Sequence, residues 1–302
     1  MSDCHVVEDD RFRFLVQGNA WLETLHSGAR WAEGPVWFGD SQTVVWSDIP
    51  NDRMLQWADG AGVRVFRQPA GHANGNTRDR EGRLLSCLHG GRGIARTELD
   101  GRVRTLVDRW DGKRLNSPND LTVKSDGSVW FTDPPYGIMS DYEGHKADSE
   151  VGRANVYRFE PASGRIDVVS DDLDRPNGIC FSPDERTLYV SDTSASHDPA
   201  GHRHIVAFDV GDDGRLARRR IFAEIDVGCA DGFRCDVDGN VWTSAGDGVH
   251  CYSPQGERLG RIRVPETVSN LCFGGPRRNR LFITATTSLY AIYVAANGAQ
   301  WP

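Results

Sequence analysis

The sequence predicts an all-β fold: a six-bladed β-propeller with four-stranded blades, its ring closed by an N-terminal strand that pairs with the last blade. Three observations predict it. A polar residue followed by an apolar strand recurs six times, each start leads through a turn into a second, more apolar strand, and a strand-like segment precedes the first repeat without a partner of its own. Repeats of this length are the mark of propeller blades, each of which buries its faces against its neighbours.

The repeats open at Glu33, Asn76, Asn119, Asn177, Asp231 and Asn270, and consecutive starts lie 43, 43, 58, 54 and 39 residues apart. Turns such as Asp126-Gly127 and Asp238-Gly239 then lead to second strands, among them Val44-Val45-Trp46-Ser47-Asp48, Val129-Trp130-Phe131-Thr132-Asp133 and Leu188-Tyr189-Val190-Ser191-Asp192. These are β-branched and aromatic runs bounded by turn residues, as strands of a meander should be. Third strands follow, for example Val156-Tyr157-Arg158-Phe159, and five of the six are followed by a more polar fourth. The sixth repeat lacks one, and Trp21-Leu22-Glu23-Thr24-Leu25 reads as its replacement, which removes two raw sheet edges. Residues 1–302 therefore read as a single propeller domain, with 1–20 as an N-terminal extension. Residues 136–153 read as an insertion too long for a hairpin turn and placed as a lid.

Composition narrows the function classes. The 302 residues carry a net charge of -8 with 38 % hydrophobic and 26 % charged residues, ordinary for a soluble globular protein. No apolar run is long enough to span a membrane, and no export signal is visible at the start, so a cytoplasmic location is expected. The basic residues are scattered, which argues against nucleic acid as a partner. Seven cysteines, an odd number without a Cys-x-x-Cys pair, point to reduced structural thiols, and Cys87, Cys180, Cys235 and Cys272 fall in apolar strands. His202 and His204 read as exposed loop residues.

First strands of propeller blades line the central channel, so the six repeat-start residues should converge there. All six are carboxylates or carboxamides, groups that are costly to bury without partners. A cation removes that cost, and a set of hard oxygen donors favours Ca²⁺ or Mg²⁺ over softer metals. Two carboxylates match the charge of one divalent ion.

The motifs Glu33-Gly34-Pro35-Val36-Trp37, Ser117-Pro118-Asn119-Asp120-Leu121, Arg175-Pro176-Asn177-Gly178-Ile179 and Ala230-Asp231-Gly232 resemble those of the gluconolactonase and senescence-marker-protein (regucalcin) family. The stretches Gly71-His72-Ala73-Asn74-Gly75-Asn76 and Phe131-Thr132-Asp133-Pro134-Pro135-Tyr136-Gly137 are similar to its bacterial gluconolactonase branch in particular. The resemblance runs from about Trp31 to Tyr290. It implies a six-bladed propeller that hydrolyses lactones with one divalent metal, Ca²⁺ first and Mg²⁺, Mn²⁺ or Zn²⁺ as alternatives. Glu33, Asn177 and Asp231 match the metal ligands, and Asn119 matches a position shared between metal and substrate. Where the animal lactonases carry an Arg two residues before that Asn, this chain has Ser117, so their substrate contacts do not carry over.

The expected reaction is metal-assisted opening of a sugar lactone to the aldonic acid. Asp231 is the first candidate general base, and Asp133 the second candidate acid/base. Because Asp48 and Asp192 occupy the same place in other repeats, Asp133 also reads as a turn residue. His72, His89 and Tyr136 are candidate substrate contacts. An aryl-lactonase or phosphotriesterase on the same metal, or a non-catalytic propeller with a structural Ca²⁺ ion, are the alternatives. The expected partner is a small-molecule lactone, acting on a monomer or dimer.

Overall fold

A computed structural model describes residues 3–301 and shows six antiparallel sheets arranged as blades, with a small hairpin at residues 109–114 between the second and third. Blade one runs Ala32–Phe38, Thr43–Asp48, Arg53–Ala58, Gly62–Arg67, from the axis outward. Blades two, three and four follow the same order from the inner strands Ala73–Arg78, Leu121–Val123 and Pro176–Phe181. Inner strands Phe233–Cys235 and Val268–Gly274 begin blades five and six.

Burial falls from axis to rim, as the strand composition requires. Second strands are apolar on both faces because each is sandwiched between two neighbouring blades: every residue of Thr43–Asp48, Val129–Asp133, Val241–Ala245 and Arg280–Ala285 is buried. Trp46, Trp130 and Trp242 are completely enclosed there. Fourth strands such as Gly62–Arg67 and Leu216–Glu224 are largely exposed, which suits their Arg-rich sequences.

Ring closure has the expected form. Glu23–Ser27 forms the outer strand of blade six, pairing with Ser288–Tyr293 in the register Glu23↔Ala291 and Thr24↔Tyr290. The preceding extension is also structured. His5–Val7 adds a fifth strand to blade five against Arg258–Arg263, and Phe12, fully buried, packs near Trp242 with ring centroids 6.0 Å apart. Short polar segments of this kind carry too weak a pattern to be read as strands. A second departure is His204, expected on an exposed loop: it opens the strand His204–Val210 and is buried. Residues 295–301 cross the far end of the channel, where Ala299 N donates to Cys235 O in blade five and Gln300 Nε2 to Thr77 Oγ1 in blade two. No helix among the described residues is long and apolar enough to cross a membrane.

The inner strands approach one another so closely that side chains are excluded at set positions. A Cβ on Gly34 would collide with the Asn74 carbonyl, on Gly75 with that of Asn119, on Gly178 with that of Asp231, and on Gly232 with the Asn270 side chain. Hydroxyls on second strands fasten the next blade: Ser47 Oγ donates to Asn74 O at 2.7 Å, Thr132 Oγ1 to Asn177 O at 2.6 Å and Ser191 Oγ to Asp231 O at 3.1 Å. The Ser and Thr of the repeated second-strand motif therefore hold blade to blade.

Because Glu23–Ser27 and His5–Val7 each cover an open sheet edge, removing residues 1–27 should lower the melting temperature by more than about 10 °C or yield aggregates. A truncated chain that melts cooperatively within about 2 °C of the full chain in differential scanning calorimetry would contradict this closure.

Candidate active site

The channel opens at one end into a cavity of about 720 Å³, to which all six blades bring inner-strand or pre-strand residues. Glu33, Asn119, Asn177 and Asp231 line it, from blades one, three, four and five, with Asn74 from blade two. The strand entries that carry these residues are set by a repeated device. Asp48 accepts from Arg30 N at 2.9 Å, three residues before Glu33. Asp133 accepts from Asn116 N at 2.9 Å and Ser117 N at 2.8 Å, just before Asn119, and Asp192 from Asp174 N at 2.8 Å, three residues before Asn177.

That device decides the place of Asp133. It is fully buried and does not line the cavity, and both of its oxygens accept backbone amides. Burial pushes its carboxyl up to about 7, while the two amides pull toward the anion. The turn reading shared with Asp48 and Asp192 describes this geometry; the acid/base reading lacks contact with the cavity.

Two of the six repeat-start residues also leave the expected ring. Asn76 is enclosed between blades, its Nδ2 donating to Gly34 O, Ser47 Oγ and Asn74 O, each at 2.9 Å. A bulge between Ala73 and Asn76 shifts the register, so Asn74 takes the position at the cavity. Asn270 lies one layer below, donating to Glu33 Oε2 at 3.1 Å and Asp120 Oδ2 at 3.4 Å. Asp120 in turn meets Arg234 at 3.5 Å, both buried.

Charge at this site is unbalanced. Glu33, Asp120, Asp231 and Glu143 are four carboxylates against the two guanidiniums of Arg234 and Arg203, which leaves two negative charges if all are ionised. Among the described residues neither Glu33 nor Asp231 has an ion-pair partner. Burial, then repulsion from Asp231 and Asp120, drives the Glu33 carboxyl well above its usual range. Burial, then repulsion from Asp120 and Glu143, drives Asp231 up as well, against a hydrogen bond from Asn177. Such a strained set of anions is what a bound cation would relieve.

The donor chemistry fits a hard divalent ion. All four candidates present oxygen. No three His, Cys, Asp or Glu side chains among the described residues are placed to hold a metal by themselves, so any ion here draws on the Asn119 and Asn177 carboxamides too. Asn177 is oriented by its Nδ2, which donates to Thr193 Oγ1 at 3.2 Å, and Thr193 is bonded to Tyr136 OH at 2.6 Å.

The insertion at 136–153 walls the cavity with Tyr136, Met139, Ser140, Tyr142 and Glu143. Glu143 was not legible as a site residue: nothing in the sequence marks which residue of a polar loop turns inward. His197 lines the cavity, whereas the two histidine candidates of the second repeat stand behind its wall. His89 is fully buried, held neutral by burial with its pKa down at about 3, and its Nε2 lies 3.0 Å from Asn74 Nδ2. It positions Asn74 instead of reaching a ligand itself. His72 bonds Ile49 O through Nδ1 at 3.0 Å and does not line the cavity.

Known proteins share this sequence pattern and fold. Residues 31–287 match the family described as SMP-30/Gluconolactonase/LRE-like region. A gluconolactonase of Zymomonas mobilis is 34 % identical over 295 residues, covering 90 % of this chain and 80 % of that one. A pentonolactonase of Haloferax volcanii is 29 % identical, covering 86 % and 83 %. The solved structure of a gluconolactonase from Xanthomonas campestris superposes with a TM-score of 0.91 at 41 % identity, covering 97 % and 95 %. The match of most of the chain, with the same fold over nearly its whole length, makes this protein a member of the SMP-30/gluconolactonase family.

Proposed function

We propose that the protein is a metal-dependent lactonase that opens a sugar lactone of the gluconolactone type to its aldonic acid. The observation that carries the reading is the convergence of Glu33, Asn119, Asn177 and Asp231 on one cavity, with two carboxylates that have no ion-pair partner among the described residues. The relatives support the substrate class, since the gluconolactonase and pentonolactonase are both named for aldonic lactones.

Glu33, Asn119, Asn177 and Asp231 would hold a divalent ion, Ca²⁺ by preference for hard oxygen and flexible geometry. When bound, such an ion supplies charge to polarise a carbonyl and to steady the oxyanion that forms there. The chain supplies the rest. Asp231, at the cavity wall, accepts the proton of the attacking water at a carboxylate oxygen. That water adds to the carbonyl carbon, the ring C–O bond breaks, and the released alkoxide regains a proton. The Ser244 hydroxyl accepts from Asp231 N at 2.7 Å and fixes the backbone beneath this base. Thr193 and Tyr136 fix the Asn177 carboxamide, and Asp133 holds the loop that presents Asn119.

Turnover of δ-gluconolactone, followed by proton release in weakly buffered solution, should fall to the spontaneous rate after chelation and return with Ca²⁺. Asp231→Ala should lose roughly 100-fold or more, as loss of a general base does, and Glu33→Gln should weaken the response to added Ca²⁺. A chelation-insensitive rate, or an unchanged Asp231→Ala variant, would overturn the proposal. A panel containing aryl lactones and phosphotriesters, turned over in preference to aldonolactones, would replace the substrate class.

The carboxyls make a pH prediction for the metal-free protein. Glu33 and Asp231 bind protons more tightly folded than unfolded, so their contribution is complete below the ordinary carboxylate range of about pH 4. It is lost as pH rises through their raised folded values. Metal-free protein should therefore melt lower at alkaline than at mildly acidic pH, and Asp231→Asn should flatten that slope in calorimetric scans. A metal-free melting temperature that rises over this interval, with Asp231→Asn no different, would contradict the account.

A further inference from the structure

We infer that Cys180 and Cys235 form a reversible dithiol–disulfide site at the end of the channel remote from the cavity. The two residues are 55 apart in sequence, yet their sulfurs lie 3.7 Å apart. They belong to different blades: Cys180 to the inner strand Pro176–Phe181 of blade four, Cys235 to the inner strand Phe233–Cys235 of blade five. No backbone ladder joins these strands, so the thiols meet across a blade-to-blade seam.

Geometry and access both favour coupling. A disulfide needs its sulfurs at about 2.05 Å, so the pair at 3.7 Å stands at van der Waals contact and must close further to bond. Both cysteines line a second cavity of about 420 Å³ at the foot of the channel, together with Arg78, Arg80, Arg234 and Gln300. A small oxidant therefore reaches the pair without unfolding the blades. The cavity also carries Asp184 and Glu185, and Glu185 is engaged by Arg80 and Lys124. The contact with Cys180 and burial hold the Cys235 thiol well above its usual range, and the guanidinium of Arg234, next in sequence, offsets only part of that rise, so the pair should react slowly and its proximity rather than its acidity carries the inference. The other buried cysteines, Cys87, Cys251 and Cys272, have no sulfur partner among the described hydrogen-bonded pairs.

With hydrogen peroxide the step balances in two stages. One thiolate attacks peroxide oxygen, giving a sulfenic acid and, with one proton, water. The second thiol then attacks the sulfenic sulfur, forming the S–S bond and releasing a second water. Two sulfurs are oxidised by two electrons in all, and peroxide is reduced. A dithiol reductant reverses it.

The consequence follows from the strands involved. Cys180 lies three residues beyond Asn177 on one inner strand, and Cys235 ends the inner strand that begins two residues after Asp231. A bond there clasps the seam between the blades that present both residues and closes a loop of more than fifty residues. Oxidation should raise the melting temperature by several degrees, because long closed loops restrict the unfolded chain most.

The test treats the folded wild-type chain with hydrogen peroxide, removes excess, and maps it by mass spectrometry without reduction. Expected are a linked peptide pair carrying Cys180 and Cys235, a fall in titratable thiols from seven to five, and full recovery with dithiothreitol. Cys272→Ser should still form the link, while Cys180→Ser and Cys235→Ser should lose both link and stabilisation. Seven titratable thiols after treatment, oxidation spread over single cysteines, or linkage between molecules would overturn the inference. None of these readouts depends on turnover, so their failure is separate from failure of the lactonase reading.

Discussion

Crowding at the propeller axis governs this structure. Six inner strands meet so closely that Gly34, Gly75, Gly178 and Gly232 each face a neighbour's backbone or side chain with no room for a Cβ. The residue beside each glycine is thereby turned toward the channel, and bulges at Glu33/Val36, Ala73/Asn76 and Pro176/Ile179 fix that turn. Side chains that point into so small a space must be mutually compatible. Carboxylates and carboxamides are compatible only if something positive joins them. The fold thus creates an electrostatic demand at its centre, and the candidate function is an answer to that demand.

The supporting layers show how the demand is held in place. Asn270 ties Glu33 to Asp120, and Arg234 offsets Asp120 from below, so one carboxylate is accounted for by the protein itself. Glu33 and Asp231 remain without a cation. Buried ion pairs of the Asp120–Arg234 kind add little net stability, but removing one partner is strongly destabilising. The three aspartates Asp48, Asp133 and Asp192 work on the backbone, pinning the loops that enter three of the cavity-lining strands. One residue type thus serves two ends, and burial toward or away from the cavity separates them.

Much of this was legible in the sequence, and the exceptions have physical causes. The period of the repeats and the largely apolar second strands exposed the six blades, because second strands are buried on both faces and admit only polar groups that find a partner, such as Ser47, Thr132 and Asp133. Glu33, Asn119, Asn177 and Asp231 each open a repeat, as do Asn76 and Asn270, and only the family resemblance separates those four from the other two. Asn74 was missed in favour of Asn76 because a bulge changes which residue faces the channel, and spacing does not reveal bulges. Asp120 and Arg234 were passed over because their meeting depends on contacts between blades three and five. Glu143 lies in an irregular loop with no periodicity to orient it. The fifth strand of blade five was hidden for a similar reason: three residues against an edge leave no pattern. The Cys180–Cys235 contact joins residues that sequence reading could place only in separate apolar strands.

The central claim is that burial and mutual repulsion hold the axial carboxyls above their usual range until a divalent cation displaces their protons. Isothermal titration of metal-free protein with Ca²⁺, repeated in buffers of different ionisation enthalpy, measures the protons displaced. The account predicts saturable binding at one site with release of roughly one proton per ion near neutral pH, declining as the pH is raised. It also predicts that Asp231→Asn removes most of that release. Saturable binding without proton release, or no binding at all, would contradict it.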